Sequence, residues 1–146
     1  MKYELLTDDT ITFLGVQLFR IKALISFEGV KKGDVGGYVE SEKNLSQSGD
    51  AWVYGNAKVY GNAEVYGNAW VSGDADYIVF KNNWSSGRYF TYTKSNKKWK
   101  VGCFYGSSEE LVEKAYKDSK KSGDFYKAYV EFVEKLEAIE SGHKEQ

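Results

Sequence analysis

The chain of 146 residues is the size of one compact domain or of two small modules sharing a core, and its 20 Lys and Arg against 21 Asp and Glu leave a net charge of -1, which excludes a global pull toward nucleic acid or anionic membrane. One cysteine, Cys103, excludes an internal disulfide, and no stretch reaches the roughly 20 apolar residues of a membrane span, so a cytoplasmic protein with no membrane partner is expected. Aromatics at 16% with no proline exclude a disordered chain, because that much ring surface offsets chain entropy when buried.

In chain order, KYELL (2–6), a turn at TDD (7–9) and TITFLGVQLFRIKALISF (10–27) alternate β-branched and aromatic residues with polar ones, which predicts strands joined by a hairpin. GDVGG (33–37) is glycine-rich but fits neither a phosphate loop nor a dinucleotide fingerprint, and is expected to be a turn. GGYVESEKNLSQ (36–47) has the size of an irregular part-coil. Five hexapeptides follow: SGDAWV, YGNAKV, YGNAEV, YGNAWV and SGDADY, spanning 48–77. A fixed period of this kind marks a solenoid. Val53, Val59, Val65 and Val71 are the expected interior residues, with Ala57, Ala63, Ala69 and Ala75 at tight corners and Gly-Asn or Gly-Asp pairs supplying backbone conformations that branched residues resist.

This segment resembles the hexapeptide-repeat class, which implies a left-handed parallel β-helix with three hexapeptides per coil. Positions 18 apart then stack, placing Trp52 on Trp70, Tyr54 on Ser72 and Lys58 on Asp76. Five hexapeptides give about two coils, too few to stand alone without caps or neighbouring subunits. Trp52, Tyr54, Tyr60, Tyr66 and Trp70 are the expected oligomer interface, and the class resemblance implies a homotrimer.

Downstream, YIVFK (77–81), RYFTYT (88–93) and WKVGCFY (99–105) predict three antiparallel strands with turns at NNWSSG and KSNKK. Ser107 with Glu110 forms a capping box ahead of a helix from about 108 to 120. A second helix opens at Gly123 and Asp124, carrying Phe125, Tyr129, Phe132, Val133 and Leu136 at helical spacing, and the final SGHKEQ is expected to fray. The expected architecture is thus mainly β with C-terminal helices: an N-terminal β cap (1–35), a short left-handed β-helix (36–77) and an antiparallel sheet with two helices (78–146).

RIKALISF, then GDVGGYVESEKNLS running into GDAWVYGNA, and SGRYFTYT with WKVGCFYG resemble uncharacterised proteins encoded by bacteriophages and prophages. The resemblance covers residues 19–120. It implies a viral accessory protein acting in the host cell cytoplasm, and no activity.

The hexapeptide class is best known in acyltransferases whose base is a histidine beside the coils, whereas the single histidine here, His143, lies in the tail. One cysteine and one tail histidine make no zinc set, and Asp50, Asp74 and Asp76 lack calcium-loop spacing, so no metal and no cofactor is expected. Segment 77–107 is different: Lys81, Arg88, Lys94, Lys97, Lys98 and Lys100 stand among nine aromatics with no Asp or Glu, a local charge of +6. Cations beside stackable rings suit nucleotide or single-strand binding, although strand alternation also allows one face of core aromatics and one of solvated lysines. Trp84, Arg88, Tyr92, Lys94, Lys98 and Trp99 form the expected ligand site, with the loop residue Trp84 as its clamp. The expected function is non-enzymatic capture of an anionic, nucleotide-like ligand that counters host antiviral defence; double-stranded nucleic acid is not an expected partner. The alternatives are direct inhibition of a host defence protein, such as a CRISPR effector, an acyltransferase, and a structural virion role.

Overall fold

A computed structural model describes residues 1–144 and divides the chain into two compact units, Met1–Tyr105 and the segment from Gly106 onward. The first opens with β1 (Tyr3–Phe13) and β2 (Val16–Ala23), an antiparallel pair. The hairpin turns at Leu14 and Gly15, both at positive φ, and not at TDD. Thr7, Asp8 and Asp9 instead bulge out of β1, where the register shifts between Leu6 and Thr10. Two charged residues can sit in a bulge without interrupting the alternation on either side.

β3 (Val35–Val39) pairs antiparallel with β2, so GDVGG is the start of a strand and not a turn. The glycines are there for space: a Cβ at Gly37 would lie 2.6 Å from the Ala57 carbonyl oxygen and 2.7 Å from Val53 Cγ1. They let β3 press against the repeat segment.

The repeats form three strands of two residues each, β4 (Trp52–Val53), β5 (Lys58–Val59) and β6 (Trp70–Val71). In each YGNA the Ala amide donates to the Tyr carbonyl three residues back, closing a turn at Ala57, Ala63 and Ala69 with N···O distances of 3.2, 3.3 and 3.2 Å. The turn glycines Gly55, Gly61 and Gly67 hold φ near +60°, as the second residue of such a turn requires. Val53, Val59, Val65 and Val71 are fully buried, and Ala57, Ala63 and Ala69 are buried, whereas Ala75 is exposed in a 3-10 turn, Asp74–Asp76, that ends the pattern.

The two-coil left-handed parallel β-helix expected from these hexapeptides is not formed. Only β4 and β6 make a parallel sheet of their own, with Trp52 paired to Trp70 and Val53 to Val71. β5 instead joins β3 in parallel at the edge of a mixed sheet ordered β1-β2-β3-β5. Two physical causes are visible. Each hexapeptide spends most of its length on a turn, leaving two residues for a ladder. The upstream segment also pairs at a spacing of 20, as Tyr38 with Lys58, whose intervening chain contains a 3-10 turn at Glu42–Asn44, and as Leu45 with Val65. Asn44 fills that turn, its buried amide donating to the carbonyls of Gly61 and Ala63 at 3.2 and 2.9 Å. The expected Lys58–Asp76 stack is absent too: the Lys58 amide meets Asp74 Oδ1 at 3.2 Å, while Asp76 accepts from the Ser72 and Gly73 amides.

β7 (Tyr77–Lys81), β8 (Tyr89–Thr93), β9 (Lys98–Val101) and β10 (Phe104–Ser107) form a four-stranded sheet in the order β10-β9-β8-β7, one strand more than expected. In the second unit, α1 (Ser108–Asp118) is capped as expected, Glu110 N donating to Ser107 Oγ and Glu110 Oε1 accepting from Ser107 N. α2 (Lys120–Lys144) begins earlier than expected and stays helical through Ser141, Gly142, His143 and Lys144, so that part of the tail is not frayed; Glu145 and Gln146 lie outside the described residues. Tyr126, Val130 and Val133 of α2 and Leu111 and Ala115 of α1 supply its buried apolar side chains. No helix among the described residues is long and apolar enough to cross a membrane.

Candidate functional site

Strand alternation divides the basic aromatic segment. On one face of the β7–β10 sheet, register pairs Phe80 with Phe90 and Tyr92 with Trp99, and the rings gather: Tyr92 and Trp99 centroids are 4.8 Å apart, Phe80 and Trp99 are stacked at 6.1 Å. Tyr92 and Trp99 are buried, so two of the expected ligand residues belong to packing. Trp84 comes from the loop and sets its ring edge-on to Phe90 at 6.3 Å, while its amide donates to Asn82 Oδ1 at 3.2 Å.

The opposite face is also covered, because it meets the YGNA turns. Thr91 Oγ1 accepts from Glu64 N, Ser95 Oγ accepts from Trp70 N, and Tyr105 Oη donates to the Tyr66 carbonyl. Lys100, 9% exposed, holds its ammonium 4.7 Å from the Tyr66 ring centre and donates to the Gly102 carbonyl. Burial raises the phenol pKa of both Tyr66 and Tyr105.

The remaining cations do not converge. Arg88 precedes the five residues of β8 and Lys94 follows them, so six steps of extended chain separate the two by roughly 20 Å. Lys98 lies opposite Thr93 at the far end with Lys94. Arg88 instead joins residues that sequence reasoning missed: Lys43 from the 3-10 turn, Asn62 and Glu64 from the third hexapeptide, and Tyr89 line a cleft of about 240 Å³ with it. Tyr89 keeps 40% of its surface exposed, and the Lys81 ammonium sits 5.8 Å from its ring centre.

The loop fixes Arg88 from both backbone sides, since its amide donates to Ser86 Oγ at 3.2 Å and its carbonyl accepts from the Asn82 amide at 2.8 Å. Its guanidinium lies over Gly102, where φ is +55° and any side chain would collide with it. Alternation along β8 sets Tyr89 on the face opposite Phe90 and Tyr92, a signal that could have found it, but Lys43 and Asn62 are distant in sequence and are brought in only by the turns.

Of the expected oligomer interface, Trp52 is 2% exposed, with Tyr3 and Phe27 edge-on to it at 6.2 and 5.3 Å. Tyr60 meets Phe13 edge-on at 5.7 Å, and Tyr66 lies beneath Lys100. Tyr54 is half-buried, and Trp70 is 49% exposed. His143 is exposed on α2, and among the described residues no group of three or more His, Cys, Asp or Glu is placed to hold a metal ion.

Chemically, the Arg88 cleft offers a planar fork of donors, a second cation and an exposed ring, with a carboxylate on the wall that can accept from a ligand amine or hydroxyl. A search of family models and of curated proteins finds no match to this chain.

Proposed function

We propose that this protein is a non-enzymatic binding protein whose Arg88 cleft takes the phosphorylated end of a small, nucleotide-like anion. The observation that supports this is the convergence of Arg88, Lys43 and the exposed Tyr89 ring on one cleft, with Lys81 beside the ring. Arg88 can hold two phosphate oxygens at once, Lys43 adds a point charge, and Tyr89 offers a π-face to a base. Glu64 and Asn62 accept and donate at the sugar or base, and Glu64 disfavours densely charged polyphosphates. At about 240 Å³ the cleft suits a mononucleotide end. In the phage-type setting, such capture withdraws a nucleotide signal from host antiviral defence, in the cytoplasm, by a homo-oligomer for which three subunits is the favoured number.

Calorimetry across mono-, di- and cyclic nucleotides tests this. Binding that Arg88→Ala abolishes and Tyr89→Ala weakens is expected. Absence of binding across the set overturns it, and a host protein retained in stoichiometric amount would then favour direct inhibition.

A further inference from the structure

On a different part of the first unit lies a groove of about 430 Å³ lined by Glu28, Asp50, Tyr54, Asn68 and Trp70. It has two aromatic rings, two carboxylates and no cationic side chain in its lining. The placement of Trp70 follows from the fold. It pairs with buried Trp52 and belongs to β6, beyond which the two-stranded sheet has no further strand, and 49% of its surface is exposed. Its backbone is pinned by the Ser95 hydroxyl at 2.9 Å. Tyr54 crosses the Gly29 turn, its hydroxyl 3.9 Å from where a Cβ on Gly29 would sit. Asp50 is fixed through its amide to the Gly67 carbonyl at 3.0 Å, and the Asn68 amide oxygen accepts from Asn96 Nδ2 at 3.0 Å.

The charge balance selects the ligand. The Lys2 ammonium is turned inward, donating to the carbonyls of Ser48, Gly49 and Ala51 at 3.5, 3.3 and 2.8 Å. The Asp50 and Glu28 carboxylates have no hydrogen-bonded or ion-pair partner among the described residues and are exposed at the groove. A half-exposed indole and a phenol lining one groove with two carboxylates make a combination that attracts an organic cation: aromatic rings have negative faces and the carboxylates supply long-range attraction.

We infer that the Trp70 groove is a second binding site, independent of the Arg88 cleft, for a small organic ammonium ion. A methylated or quaternary ammonium lies against the Trp70 face, with Tyr54 as the second ring and Asp50 and Glu28 as its counter-charges. Asn68, held by Asn96, orients a hydroxyl or carbonyl on the rest of the ligand.

The probe is choline, titrated into the full chain and followed by the Trp70 indole N–H resonance, with 3,3-dimethylbutanol as its uncharged isostere and methyl glucoside as a neutral sugar. Saturable choline binding in the millimolar range or tighter is expected, with no saturation by either neutral compound. Trp70→Ala should remove it, as read by calorimetry, and Glu28→Gln with Asp50→Asn should weaken it at least tenfold. Arg88→Ala should leave it unchanged. Circular dichroism keeps a folding failure of any variant separate from a loss of binding. No saturation by choline overturns the inference. So does equal binding of the neutral isostere, and so does preferential binding of the sugar, which would make the groove a saccharide site.

Discussion

Trp52 and Trp70 are paired directly across the β4–β6 ladder, yet one is 2% exposed and the other 49%. The same repeat position therefore has two energetic meanings. Trp52 is closed over by Tyr3 and Phe27 from outside the repeat, whereas nothing in the first unit closes over the outer side of Trp70. Trp52→Ala should cost about 3–5 kcal/mol in chemical denaturation, and Trp70→Ala no more than about 0.5 kcal/mol. Equal costs would contradict this reading.

Arg20 ties three segments together. Its guanidinium lies 4.2 Å from the Tyr38 ring centre and donates to the Tyr38 hydroxyl, to the carbonyls of Gly36 and Gly55 at 2.8 and 3.1 Å, and to Asn56 Oδ1 at 3.0 Å. Asp9, from the bulge in β1, sits 3.5 Å from Nε. Lysine has neither the planar fork nor the stacking face, so Arg20→Lys should lose about 2 kcal/mol and rescue little relative to Arg20→Ala.

Gly37 and Gly55 should respond oppositely to a side chain. A Cβ on Gly37 meets the Ala57 carbonyl and the Val53 side chain, and Gly37→Ala should destabilise by about 3 kcal/mol. Gly55 faces open space at φ +59°, a conformation asparagine also visits, so Gly55→Asn should cost under about 1 kcal/mol. Thermal denaturation of the two variants side by side reads the contrast.

Burial lowers the Lys2 ammonium from an ordinary 10.5 to about 8, with Asp50 opposing the shift. Between those pH values the unfolded chain holds more protons than the folded one, so stability should rise with pH from about 8. Tyr3 and Tyr77 work against this above about pH 10, because burial raises both phenols and only the unfolded chain releases their protons there. A maximum near pH 10 in denaturant midpoint is expected. In Lys2→Met the rise should vanish while the fall above it remains.

Much of the first unit was legible in its sequence. The valines at 53, 59, 65 and 71 were readable as interior because period six places them identically, and the glycine–asparagine turns because few other pairs take that backbone. Trp52 over Trp70 followed from the three-hexapeptide coil that the class resemblance implies. The β-helix did not follow, because the pairing of β5 with β3 depends on an antiparallel hairpin far upstream, and sequence periodicity carries no information about such a partner. The site was half legible. Arg88 was visible as a loop cation, but Tyr92 and Trp99 read as ligand rings only until both sheet faces proved covered, and Lys43 and Asn62 reach the cleft through tertiary contacts.

The bonds from the antiparallel sheet to individual YGNA turns bear on how this protein can vary. Solenoids ordinarily gain and lose repeats freely, since each unit touches only its neighbours. Here Thr91 addresses Glu64, Ser95 addresses Trp70, and Tyr105 addresses Tyr66, while upstream Asn44 addresses Gly61 and Ala63. Inserting one hexapeptide would put the repeats out of step with at least one of these two sets of anchors. The repeat number is thereby frozen, and a sequence that looks endlessly extensible behaves as a part of fixed size.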